Sequence, residues 1–147
     1  MMKMMNKIGT LIAAVAIVGC FARPKAPVDT ETTLVEAEAF ADLGGWSVDQ
    51  QFMDQMGSSY LLAHGLGHPV ADAKTRVALP TAGKYRLWVR TRDWVAPYGA
   101  GQFQVLVDDA IVGTFGKGGS GAWDWWDGGI VTVASVPTEV VLRDLTG

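Results

Sequence analysis

The chain has 147 residues, 49% of them hydrophobic and 18% charged, with a formal net charge of −3 and a single cysteine. One domain of ordinary size fits this length once a targeting segment is set aside, and a second does not. The acidic balance argues against nucleic acid or an anionic membrane surface as a partner, and a lone cysteine excludes an internal disulfide.

Lys3 and Lys7 give a basic start, the stretch IGTLIAAVAIV from Ile8 to Val18 is apolar or small throughout, and GC follows. That is the pattern of a secretory leader, and its apolar run is shorter than the about 20 residues a membrane-spanning helix requires. IVGC, Ile17 to Cys20, resembles the lipobox of bacterial lipoproteins. The resemblance implies that residues 1–19 are removed, that Cys20 carries lipid, and that the protein is exported and lipid-anchored in the bacterial cell envelope, in the periplasm or at the cell surface. Phe21 after the cysteine resembles the pattern exported to an outer membrane. Membrane contact is then expected through the anchor only. The leader takes two of the 12 basic residues, which leaves the remainder at −5. Residues 20–33, with Pro24, Pro27 and no apolar period, read as a flexible tether, and the folded domain is expected over 34–147.

The first strand is expected in LVEAEAF, Leu34 to Phe40, where alternation sets Glu36 and Glu38 on one face. Two carboxylates this close repel unless water or a cation neutralises them. A hard cation such as Ca²⁺, with six to eight oxygen ligands, would do so; a solvated edge strand is the other reading, since no run of aspartates accompanies the pair. His64 and His68 in AHGLGHP have a spacing that suits zinc on a helix, but the glycines and Pro69 forbid the helix, so a loop is expected.

Period two dominates from here on. Val77 and Leu79 lead to a turn at PTAG, after which Tyr85, Leu87, Val89 and Thr91 alternate with Arg86, Trp88, Arg90 and Arg92. Phe103, Val105 and Val107 share a face, Asp108-Asp109 make a turn, and Ile111 to Phe115 return. GKGGSG, Gly116 to Gly121, matches a dinucleotide-binding string, yet AWDWWDGG follows in place of a helix, so it reads as a loop. Within Ala122 to Gly129, alternation puts Trp123 and Trp125 on one face and Asp124 and Trp126 on the other. The first pair is expected to pack and the second to face solvent, with Asp127-Gly128-Gly129 a tight turn into Ile130. GGIVTVASVPTEVVLRDL gives two more strands separated by SVPTE.

These short strands, 18 glycines and no usable amphipathic helix predict an all-β sandwich or barrel. VEAEAF, GSSYLLAHG, LPTAGKYRLWVRTRDW and FQVLVDD resemble the galactose-binding-like jelly roll of carbohydrate-binding module families 6 and 35. GGWSVDQQFMDQMGSSYLLAHGLG, RTRDW and LRDLTG are similar to the N-terminal jelly roll ahead of exported bacterial FAD-dependent oxidoreductases, some labelled xanthan lyase. The resemblance implies a jelly-roll β-sandwich over about 34–147 that lacks its last strand, and a structural Ca²⁺ at Glu36 and Glu38 whose remaining carboxylate would come from that strand.

No nucleophile elbow or acid/base pair stands out, so catalysis within the chain is not expected. Sugars stack their C–H faces on indoles while Asp and Arg bond their hydroxyls, which makes Trp88, Arg92, Trp94, Tyr98, Asp124 and Trp126 the candidate ligand-binding residues. The alternative is that these aromatics pack within the sandwich. Two functions remain open: a non-catalytic module that binds a glycan or polysaccharide, or docks on a downstream enzyme domain; and the N-terminal, structural part of a FAD-dependent oxidoreductase or polysaccharide lyase.

Overall fold

The computed structural model describes residues 2–6, 31–93, 95 and 98–147. Its strands are β1 (Met2–Asn6), β2 (Thr32–Val35), β3 (Trp46–Asp49), β4 (Tyr60–Ala63), β5 (Ala73–Val77), β6 (Gly83–Thr91), β7 (Phe103–Val107), β8 (Ala110–Phe115), β9 (Asp124–Val133) and β10 (Thr138–Asp144). A short helix α1 (Met53–Met56) and a 3₁₀ turn over Ala37–Ala39 are the helical elements among the described residues. Two four-stranded antiparallel sheets, β2-β1-β6-β9 and β5-β10-β7-β8, face each other, and the hairpin β3-β4 stands at one end. This is an all-β sandwich, one of the two architectures the alternation predicts, with the jelly-roll fold that the resemblance implies. Among the described residues no helix is long and apolar enough to cross a membrane.

The core follows from period two. Tyr85, Leu87 and Val89 of β6 and Val131 and Val133 of β9 point inward, opposite Val105 and Val107 of β7 and Val140 and Leu142 of β10, all buried. Each such side chain stabilises the fold by about 1.5–3 kcal/mol relative to exposure. The hairpin β7-β8 turns on Asp108 and Asp109, with φ of 47° and 65°, the mirror-image turn that matches strand twist. Asp108 Oδ1 also accepts from the Glu139 N–H at 3.0 Å, fixing that turn to β10.

Two expectations are corrected. Strand β2 ends at Val35, so Glu36 and Glu38 do not share a strand face. Ala37 and Phe40 are both buried, three residues apart, and the three-residue turn of a 3₁₀ helix is what brings both inward. Asp127-Gly128-Gly129 is not a turn: β9 runs through it with a bulge, Trp88 pairing with Asp127 and Leu87 with Gly129. Gly128 is the extra residue, and a Cβ there would lie 2.9 Å from Leu87 Cδ2. Gly129 takes φ +75°, which an L side chain rarely adopts. The carboxylate of Asp127 fastens the bulge, Oδ1 accepting from Gly129 N at 2.9 Å and from Arg86 Nε at 3.1 Å.

Met2–Asn6, which the sequence assigns to the leader, forms a strand inside the first sheet. It pairs antiparallel with β2 on one side and β6 on the other, and Met2 is 3% exposed.

Candidate functional site

A cavity of about 430 Å³ opens at the end of the sandwich where β6 and β10 finish and β7 begins. Trp46 and Asp49 of β3, Tyr60 of β4, Arg90 and the adjoining Arg92 of the β6 end, Phe103 of β7, Trp123 just before β9, and Asp144 of β10 line it. Its walls are aromatic for a structural reason. Trp46 meets Phe103 edge-on at 5.9 Å between ring centres, and Tyr60 meets Trp123 at 4.8 Å and 60°. Such edge-to-face pairs set the positive rim of one ring against the negative face of the other.

Polar groups are fixed around these rings. Tyr60 Oη donates to Asp49 Oδ1 at 2.9 Å, and the Gln51 N–H donates to the same oxygen at 2.6 Å. The Gln51 N–H first, and the Tyr60 hydroxyl second, hold the Asp49 carboxyl below its ordinary range; burial first, then Asp49, push the Tyr60 phenol up. Arg90 donates to the carbonyls of Met56 at 2.6 Å and Gln55 at 3.0 Å, closing the last turn of α1. Arg92 lies over the Phe52 ring at 4.2 Å. Asp144, buried, accepts from the N–H groups of Val70 (2.9 Å), Thr146 (3.0 Å) and Gly147 (3.1 Å).

Some donors in this lining stand without partners. The indole Nε1 of Trp46 and that of Trp123, and with them Nε of Arg90, are buried and have no acceptor among the described residues. Trp46 itself is 9% exposed. Buried polar groups ordinarily find a partner, so unmet N–H donors in one cavity wall point to a ligand that accepts hydrogen bonds.

The structure scatters the sequence candidates. Arg92 lines the cavity. Trp88 lies on the outer face of the first sheet, with the Arg86 guanidinium 5.6 Å from its ring centre. Tyr98 stands 82% exposed in the loop before β7, and Trp94 lies outside the described residues, as does Cys20. Asp124 is exposed and accepts from Ser120 Oγ at 3.2 Å.

The side assignment is reversed for Trp125 and Trp126. Trp126 pairs with inward-facing Val89 and packs on the core, whereas Trp125 pairs with Arg90 on the outer face and is 41% exposed. Trp123 precedes the strand and is half-buried against Tyr60, in keeping with the expected packing. Glu36 is exposed; Glu38 is half-buried, its Oε1 accepting from Ser59 Oγ at 3.4 Å and its Oε2 buried without a partner. His64 lines the cavity from a loop, and GKGGSG is a loop, both as expected.

Trp46, Tyr60 and Asp49 were not among the sequence candidates. Their signal is faint: they stand in WSVD and YLLA, strands of four residues too short to display a face.

No family model matches the chain, and no curated protein matches it. Among solved structures it is similar to the GH26-CBM35 β-(1,4)-mannanase of Podospora anserina, with a TM-score of 0.57 and 19% identity over 76% of this chain. The match spans 24% of the mannanase chain. At this identity the likeness establishes a shared jelly-roll fold.

Proposed function

We propose that this domain is a non-catalytic carbohydrate-binding module whose glycan enters the end cavity. The observation that carries the reading is the pair of buried, acceptor-less indole N–H groups of Trp46 and Trp123 in an aromatic wall. Sugars combine apolar C–H faces, which pack on such rings, with oxygens that accept from such donors. The fold shared with a mannanase that carries a CBM35 supports the same reading. The test is affinity electrophoresis through gels containing neutral and acidic polysaccharides, mannan among them, with and without chelator. Retardation by at least one polymer, lost in Trp123→Ala, is expected. A folded protein that no polymer retards overturns the reading.

The proposal extends to export and anchoring through Cys20, with glycan rather than nucleic acid as partner. A second reading rests on the sequence resemblance alone, since the mannanase likeness shows only that this fold also occurs within a larger enzyme. In that reading the domain is the N-terminal, structural part of a FAD-dependent oxidoreductase or polysaccharide lyase. A continuation of the reading frame past Gly147 into a strand, a G-x-G-x-x-G string and a helix would favour it, and a stop codon there would count against it.

Calcium belongs to the proposal in a limited form. The buried, unpartnered Oε2 of Glu38 is an oxygen a cation would satisfy, and Glu36 lies two residues away on the same turn. Among the described residues no group of three or more His, Cys, Asp or Glu side chains comes together, so further oxygens would have to be carbonyls or water.

A further inference from the structure

We propose that Arg90 joins the end cavity to α1: its Nε donates to a sugar oxygen while its terminal nitrogens hold α1, so that an occupied cavity tightens the segment from Gln50 to Ser59. The inference rests on the glycan reading above and adds to it a charged donor and a coupled element.

The other arginines show what Arg90 lacks. Arg86 gives Nε and Nη2 to the carboxylate of Asp127, and Arg143 gives the same two nitrogens to Asp72 Oδ2, at 3.2 and 3.1 Å. Arg90 instead gives Nη1 to the Met56 carbonyl and Nη2 to the Gln55 carbonyl, and no ion pair among the described residues includes it. Its Nε is buried with no acceptor among the described residues, and Arg90 lines the cavity. A guanidinium N–H withdrawn from water ordinarily has a partner, and a hydroxyl or ring oxygen of a sugar in the cavity supplies one. Because the donor is charged, the bond is of the stronger kind.

The same guanidinium connects that donor to α1. Its nitrogens lie in one rigid plane, so an oxygen held at Nε fixes the direction of the N–H groups on the Gln55 and Met56 carbonyls. The helix has four residues and depends on such outside support, since a single turn is not stable by itself. Other side chains of the lining fasten the rest of the segment. The Gln51 N–H donates to Asp49 Oδ1 at 2.6 Å, and the Phe52 ring lies 4.2 Å from the Arg92 guanidinium. Asp49, Arg90 and Arg92 thus line the cavity and hold the segment at once. An occupant that orders these side chains orders the segment, and an ordered segment presents them already in place.

The test compares the natural chain with Arg90→Lys, which keeps the charge but has one nitrogen in place of three. Retardation in neutral and acidic polysaccharide gels, mannan and polygalacturonate among them, is measured beside hydrogen exchange at the Gln55, Met56 and Gly57 amides, which donate to the Phe52 and Met53 carbonyls. The amides of β5, a strand that contributes no residue to the lining, report any general stabilisation. The polymer that retards the natural chain should slow exchange in α1 more than in β5. Arg90→Lys, folded as judged by melting, should be retarded about tenfold less and show no such slowing. Equal retardation of the two chains, or α1 exchange that the retarding polymer leaves unchanged, overturns the proposal while the glycan reading stands. Retardation by no polymer overturns both. If Arg90→Lys does not fold, exchange in the natural chain decides: slowing in α1 beyond that in β5 supports the proposal, and its absence overturns it.

Discussion

Tyr60 and Trp123, 63 positions apart in sequence, meet edge to face with ring centres 4.8 Å apart, and that contact joins the β3-β4 hairpin to the entry of β9. It also places the Trp123 indole N–H in the cavity wall without an acceptor. Trp123→Ala should therefore weaken polysaccharide retention by about tenfold or more, while the lost burial of a half-buried indole and its aromatic pair should cost roughly 2–3 kcal/mol of stability, less than a fully buried tryptophan. Gel retardation and thermal melting of the same sample separate the two effects.

The other two tryptophans of the cluster should behave differently. Trp126 packs on the core beside Val89, so Trp126→Ala should cost roughly 2–3 kcal/mol, somewhat less than a fully buried tryptophan. Trp125 faces outward, and Trp125→Ala should change stability by no more than about 0.5 kcal/mol and leave retention in the cavity unaltered. Denaturant unfolding of the two variants side by side decides the assignment; equal losses would contradict it.

The bulge in β9 gives a steric test. A Cβ on Gly128 meets the side chain of Leu87, which is fully buried and has nowhere to move. Gly128→Val should destabilise by about 1–3 kcal/mol, the range of core overpacking. Gly119→Ala in the loop before β9, where the nearest atom to a new Cβ is Trp126 Cζ2 at an ordinary 3.6 Å, is the control with little expected effect.

Asp127 supplies a pH dependence. The Arg86 guanidinium first, and then the Gly129 N–H, lower its carboxyl from the ordinary value in the folded chain. The folded state then holds the charged form more firmly than the unfolded one. Its contribution is complete above the unfolded carboxylate range near pH 4 and fades as pH falls through the lower folded value. Melting midpoints from pH 6 down to pH 2 should show a part of the acid-induced loss that disappears in Asp127→Asn. Both partners are partly solvated, so this part should be small and should shrink further in salt.

Glu38→Gln separates two accounts of one buried oxygen. With a calcium ion on Oε2, calcium should raise the melting midpoint of the natural protein and not of the variant. Without one, replacing a partly buried carboxylate by a neutral amide should leave stability equal or higher, with no response to calcium.

Much of the sandwich was legible in the sequence because its longest strands are wet on one side. In β6 the charged Arg86 and Arg90 mark the outer face as clearly as Tyr85, Leu87 and Val89 mark the inner one, and the turns at Asp108-Asp109 and SVPTE punctuate the rest. The reading failed where that contrast vanishes. AWDWWDGG has indoles on both sides of its backbone, so alternation separated Trp125 from Trp126 without giving the side, and it did not apply to Trp123, which precedes the strand; only the pairing of Trp126 with Val89 settles which faces inward. At Glu36 to Phe40 a spacing of two gives way to a spacing of three, and a strand template reads through the change. The cavity was illegible for a different reason: Trp46, Tyr60 and Trp123 come together through tertiary packing across β3, β4 and β9, and no local pattern connects them.

Asp144 carries a negative charge into the cavity lining, yet its oxygens already accept from three backbone N–H groups. Asp49 Oδ1 is likewise taken by Tyr60 and Gln51. Three of these four carboxylate oxygens thus already accept from the protein, while the indole hydrogens have no acceptor among the described residues. On the proposed glycan reading, recognition then has a direction, toward the oxygens of a sugar more than its hydroxyl hydrogens, and capping hydroxyls as small ethers should be tolerated better than replacing them with hydrogen.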